Sequence, residues 1–199
     1  MEAAGKRRPG KQSESYPLTG TDVVKVAGGG RKTQLYTYDE LDEFDTIEDA
    51  FGGKRGIMLL YVHTNPAAGE GVSGHWTSLL KRTPDEIVFT DSYGRRLDST
   101  LEDYTPEHRA ETDQDVPKLT LLLRDWCAEK PSVRKVVYNN VGLQRKSDRI
   151  ATCGRWAAYR LRWPDVDEDT YERSVKAAAR EAGITTDALI VKATNALLH

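Results

Sequence analysis

The sequence predicts an α+β fold: a mixed central sheet with one helix packed across it, closed by a C-terminal helical hairpin. Three observations carry that expectation. Residues 56–63 (GIMLLYVH) form the most apolar run of the chain, short and uninterrupted as a central strand buried on both faces must be. Two further strand-like runs follow at residues 75–81 and 87–91, joined by TPDE at 83–86, which reads as an antiparallel meander. Finally, Thr152-Cys153-Gly154 leads into Trp156, Ala157, Ala158, Tyr159 and Leu161, spaced as the buried face of a helix.

In chain order, residues 1–15 are polar, basic and without periodicity, so a disordered tail is expected. Residues 19–26 read as a short helix with Thr21 or Asp22 at its start, stopped by Gly28-Gly29-Gly30. Residues 34–38 alternate as a strand does. Residues 39–50 place Leu41, Phe44, Ile47 and Ala50 three apart, the pattern of one acidic amphipathic helix ended by Gly52-Gly53. A polar loop is expected over 64–74, irregular chain over 95–117, a helix over 119–128 and a strand over 133–138. Beyond Trp163-Pro164, helices are expected over 170–182, ended by Gly183, and from the Thr185-Thr186-Asp187 cap through Leu198.

The 199 residues suit one domain with a sizeable core. Lys plus Arg number 29 against 31 Asp plus Glu, so no global field points to nucleic acid or an anionic membrane. The longest apolar run is too short to span a bilayer. Cys127 and Cys153 fit neither a zinc spacing nor a disulfide framework, so no metal and no cofactor are expected, and a reducing compartment is.

Cys153 falls at or near a helix N-terminus, where unpaired backbone N–H groups and the helix dipole favour the thiolate; the same residue also reads as an ordinary buried thiol. Gly154 leaves room for a substrate backbone. His75 opens one strand and Asp91 closes its antiparallel neighbour, which brings both to one edge of the sheet. A carboxylate beside an imidazole fixes its tautomer and supports its cation. Together with Cys153 they make a nucleophile, a base and an orienting acid.

His75-Trp76, then Phe89-Thr90-Asp91-Ser92-Tyr93-Gly94, then Gln144, then Thr152-Cys153-Gly154 before an apolar helix resemble, in that order, the adenovirus-type endopeptidases (adenain-like), within the wider clan of ubiquitin-like-protein proteases. The resemblance covers residues 56–164, and residues 17–50 are similar to the N-terminal part of related proteases of large DNA viruses and virophages. It implies a papain-like/adenain-like cysteine protease domain over 16–164, with 165–199 as a helical extension packed on it. It implies Cys153 as nucleophile, His75 as general base and then acid, Asp91 as the residue orienting His75, and Gln144 as oxyanion donor. Two features depart from the family: Gln144 lies nine residues before Cys153, a longer gap than usual, which keeps Asn140 open as donor, and Asp91 stands where adenovirus enzymes carry Glu. Trp76 and Gly154 are the candidate substrate-binding residues, Trp76 reading also as packing that shields His75 and Asp91.

The resemblance further implies hydrolysis of viral precursor or capsid proteins after small residues such as Gly-Gly, in the virion and the host cytoplasm where it assembles. Removal of ubiquitin-like modifiers is the alternative within the reaction class, and a non-catalytic capsid- or scaffold-binding module the alternative outside it. Relatives are switched on by a peptide or by DNA; Cys127 and the basic tail are the candidate contacts, Cys127 reading equally as a buried helix residue. A monomer without membrane contact is expected. The chain's own Gly28-Gly29-Gly30 and Gly52-Gly53 raise self-cleavage, against the reading of helix-ending turns.

Overall fold

A computed structural model describes residues 13–63, 74–147 and 149–198; most of the expected tail, and the loop expected over 64–74 apart from Gly74, lie outside them. The architecture is α+β around a five-stranded mixed sheet of order β1-β2-β3-β4-β5. The strands are β1 (Thr33–Thr37), β2 (Gly56–Val62), β3 (Gly74–Thr83), β4 (Glu86–Asp91) and β5 (Lys135–Tyr138). The meander β2-β3-β4 is antiparallel, and the outer pairs β1-β2 and β4-β5 are parallel. Each parallel pair needs a crossover. The first contains α2 (Ile47–Phe51), and the second α3 (Pro106–Glu111) and α4 (Lys118–Glu129).

All seven residues of β2 are buried, because side chains of both pleat faces meet helices. Ile57, Leu59, Tyr61, Leu79 and Phe89 join Leu41, Phe51, Leu119 and Trp126 on the α2/α4 side. Met58, Leu60, Trp76, Leu80 and Val88 join residues of α1 (Gly20–Val26) and α5 (Cys153–Arg160) on the other. Helix α5 is then covered by the hairpin of α6 (Glu168–Glu181) and α7 (Thr186–Leu198) through Trp156, Tyr171, Val175 and Ile190. No helix among the described residues is long and apolar enough to cross a membrane.

Three expectations require correction. The cap of α1 is Thr19, whose hydroxyl accepts from the Asp22 N–H at 3.2 Å while Asp22 accepts from the Thr19 N–H at 3.3 Å, a reciprocal box that places the helix start earlier than Thr21. Residues 39–50 are two pieces, a 3-10 turn over Asp39–Glu43 and then α2. The break falls where Thr46 takes an extended backbone and caps Asp49 at 3.2 Å, competing locally with a continuous helix. The span expected to be irregular contains α3, started by Thr105 ahead of Pro106, a pairing of N-cap and first-turn proline that marks helix starts. Gly28, Gly29, Gly52 and Gly53 have φ of 102°, 94°, 53° and 75°, turn conformations that end α1 and α2.

Candidate active site

The register of the meander brings His75 and Asp91 together. Asp91 pairs with Thr77, so His75, two residues earlier on β3, is its diagonal neighbour on one pleat face. His75 Nε2 lies 2.8 Å from Asp91 Oδ2, and both side chains are buried. The carboxylate is held from its other side by the Tyr93 N–H, 2.6 Å from Oδ1. Asn139 clamps the same strand end, accepting from the Asp91 N–H at 2.9 Å and donating from Nδ2 to the Asp91 carbonyl at 2.5 Å. The Tyr93 ring stacks on His75, with centroids 5.3 Å apart and planes 18° from parallel.

Cys153 arrives from the opposite layer. Its helix packs on the Trp76 face of the sheet, whereas His75 opposes Tyr61 on the other face, so the two meet at the rim where β3 begins. With Nε2 held by Asp91, Nδ1 is the ring nitrogen left for the sulfur. Burial presses the imidazole toward its neutral form, but the hydrogen bonds to Asp91 and Cys153 outweigh it and raise His75 to about 10. Burial pushes the Cys153 thiol up, yet the His75 hydrogen bond and charge, with the Trp76 and Gly154 N–H groups, leave it below its ordinary value. Burial likewise works against the Asp91 carboxylate, and His75 more than offsets it, so that pKa is lowered. These shifts favour a thiolate–imidazolium pair with an ionised carboxylate behind it.

Gln144 is buried beside this group. Its Oε1 accepts from the Ser92 hydroxyl at 2.8 Å, and Nε2 donates to the Tyr93 hydroxyl at 3.0 Å and to the Ile150 carbonyl at 3.3 Å. Between Gln144 and Cys153, the residues Lys146, Ser147, Ile150 and Ala151 form part of the wall of a cleft of about 420 Å³ shared with His75, Tyr93, Gln144 and Cys153. Asn140, the other candidate donor, is exposed and absent from that lining.

The candidate substrate contacts sit elsewhere. Trp76 is buried in the core between sheet, α1 and α5, and Tyr93, not Trp76, covers His75. The close approach at Gly154 is to the Trp76 ring: a Cβ there would lie 2.9 Å from Trp76 Cδ1 and 3.0 Å from Val23 Cγ1. Neither residue lines the cleft. Gly154→Ala is therefore expected to overpack this seam and cost about 1–3 kcal/mol, read from a denaturant melt. Cys127 is half-buried in α4, and burial raises its thiol pKa.

Sequence reasoning assigned no role to Ser92, Tyr93 or Asn139. Ser92 and Tyr93 adjoin Asp91 in the chain, the one available signal, whereas Asn139 reaches Asp91 only through the parallel pairing of β4 with β5. Among the described residues, no group of three His, Cys, Asp or Glu side chains is placed to hold a metal ion.

No family model matches the chain. Over 185 residues, 92% of this chain and 97% of the relative, it is 29% identical to "Uncharacterized protein V9" of Sputnik virophage. That similarity supports a viral origin.

Proposed function

We propose that the chain is a cysteine endopeptidase of viral type, with Cys153 as nucleophile, His75 as its acid–base partner and Asp91 orienting the imidazole. The observation that carries this reading is the relay from Asp91 through His75 to a sulfur at the start of α5, with the thiol pKa lowered and the imidazole pKa raised. In the first step the Cys153 sulfur bonds to the substrate carbonyl carbon and negative charge moves to its oxygen. Collapse of that intermediate breaks the C–N bond as His75 hands its proton to the leaving amine. Water, giving a proton to His75, then displaces the sulfur from the thioester. Gln144 Nε2 and the Cys153 N–H are the proposed oxyanion donors, each worth about 3 kcal/mol; Nε2 turns one hydrogen from the Ile150 carbonyl to do so.

The substrates proposed are viral precursor or capsid proteins, cut after small residues such as Gly-Gly at the assembly site, in the virion or the host cytoplasm. This rests on the order of the His, Asp, Gln and Cys motifs and on the virophage relative. An anionic activator such as DNA would meet, in a cavity of about 400 Å³, Arg31, Lys32, Lys54, Arg162 and Arg55, the last already paired with Asp165 at 3.3 Å. The cavity lies beside Gly56 at the start of β2, the far end of the sheet from His75.

The two cysteines supply an internal comparison, since their thiol pKa values move in opposite directions. At pH 6, iodoacetamide is expected to modify Cys153 at least about tenfold faster than Cys127, as read by peptide mass spectrometry, and His75→Ala is expected to erase the difference. Equal rates in the wild type would sink the proposal. Hydrolysis is expected to rise as the thiol ionises below its ordinary 9.0 and to fall as His75 deprotonates toward about 10. Stability follows the same sign: the contribution of the imidazolium is complete below the unfolded value of 6.5 and is lost as pH rises toward about 10.

A further inference from the structure

We propose that Asp187 is a positioning residue of this site, which makes the C-terminal hairpin part of the active-site machinery; the inference rests on the peptidase reading. Asp187 lies in the first turn of α7 and is fully buried. A buried carboxylate persists only where donors replace its water, and its donors come from two points of the site. Oδ1 accepts from the Thr152 hydroxyl at 2.6 Å and from Trp156 Nε1 at 3.4 Å. Oδ2 accepts from both the backbone N–H and Nε of Arg145 at 3.1 Å. Thr152 immediately precedes Cys153, and Arg145 immediately follows Gln144. One carboxylate thus ties the start of the nucleophile's helix to the backbone that carries the oxyanion donor.

A residue from far earlier in the chain reinforces the tie. Glu14 accepts from Arg145 at 2.6 Å and from the Thr185 hydroxyl at 3.1 Å, and its carbonyl accepts from the Ala151 N–H at 2.8 Å. Arg145, which precedes the cleft-wall residues Lys146 and Ser147, is therefore held by Asp187 and Glu14, and Ala151, which follows Ile150, by the Glu14 backbone. The Thr152 hydroxyl, which at a helix N-cap ordinarily accepts from its own helix, makes no such capping bond and is given to Asp187 instead. Gln144 itself is anchored on Ser92, whose carbonyl accepts from the Gln144 N–H at 3.0 Å and whose hydroxyl donates to Gln144 Oε1 at 2.8 Å. Of the ties described, Asp187 is the one that joins Thr152 to the backbone of residue 145, and so links that anchored side chain to the start of the nucleophile's helix.

Asp187→Asn keeps the shape but only one acceptor: with its oxygen on the Arg145 donors, its NH2 faces Trp156 Nε1 and reverses the bond to the Thr152 hydroxyl, so the four-donor tie is broken on the Cys153 side. With a peptidyl-Gly-Gly aminomethylcoumarin amide as probe, it is expected to lower kcat by about tenfold while KM stays within about twofold, the split of an interaction made in the transition state. Because the effect acts through Gln144, it is expected to shrink below about twofold in a Gln144→Ala background. Arg145→Ala, whose side chain is half-exposed, removes one donor with less risk to folding and is expected to show the same split. Full additivity with Gln144→Ala, a proportional rise in KM, or unchanged kcat in both variants would overturn the assignment and mark Asp187 as a docking residue only. Wild-type protein whose Cys153 alkylates no faster than Cys127 refutes the peptidase reading itself, a different result from a reactive wild type that ignores Asp187→Asn.

Discussion

Cys153→Ala is expected to lower cleavage of a precursor-protein substrate by at least about four orders of magnitude while leaving the melting transition near that of the wild type. The magnitude follows from what is lost: with no sulfur there is no acyl intermediate, and the His75–Asp91 pair has no nucleophile to serve. The fold is spared because the change trims a half-buried side chain and leaves the core contacts of α5, such as Ala157 in the cluster with Trp76, in place. His75→Ala is expected to be comparably inactive, since it removes the partner that depresses the thiol and, on the proposed mechanism, the acid for the leaving amine. Asp91→Ala is expected to retain more activity, because Tyr93 still stacks on the ring. The measurement is mass-spectrometric mapping of new termini in a candidate precursor after incubation with each form. Undiminished cutting by the Cys153→Ala protein would exclude Cys153 as the nucleophile.

The largest expected loss of stability lies at the other end of the same helix. Arg160 is completely buried, pairs with Glu168 at 2.8 Å, and donates to the Trp163 and Val166 carbonyls at 2.6 and 2.8 Å. Its guanidinium also covers the Tyr171 ring at 5.0 Å. Arg160→Ala leaves a buried carboxylate and two carbonyls without these donors and opens a void against Tyr171. Removing one partner of a buried pair costs about 3–5 kcal/mol, which for a chain of this length lowers Tm on the order of 10 °C. Thermal unfolding checks it. Arg160→Met, which refills the volume but not the donors, is expected to recover part of the loss; a shift within error for both variants would show that the pair contributes nothing net.

Much of the sheet was legible because β2 and its partners are short apolar runs bounded by turn residues, and burial on both faces leaves a strong compositional mark. The pairing of His75 with Asp91 was legible as well, since an antiparallel meander has a register that can be counted. Residues 39–50 misled because the spacing of Leu41, Phe44, Ile47 and Ala50 satisfies a helix while the Thr46 cap divides it. Trp76 reads from the sequence as packing or as a substrate contact, and its burial between sheet, α1 and α5 fits the packing reading; adjacency to a reactive residue does not say which pleat face, or which side of a helix, looks outward, and Gly154 faces the Trp76 ring. Asp187 and Asn139 were illegible: each works through a contact 35 or more residues away, Asp187 to Thr152 and Asn139 to Asp91, and neither sits in a local pattern.

The spread of these contacts along the chain has a consequence in time. Strand ends near residues 75 and 91 are synthesised early, but Thr152 and Arg145 receive their carboxylate from α7, which is made after every other element described. During translation the sulfur, the imidazole and the cleft wall are all present before Asp187 has emerged. On the proposed reading, the full rate is reached only once α7 has left the ribosome and Asp187 has joined Thr152 to Arg145.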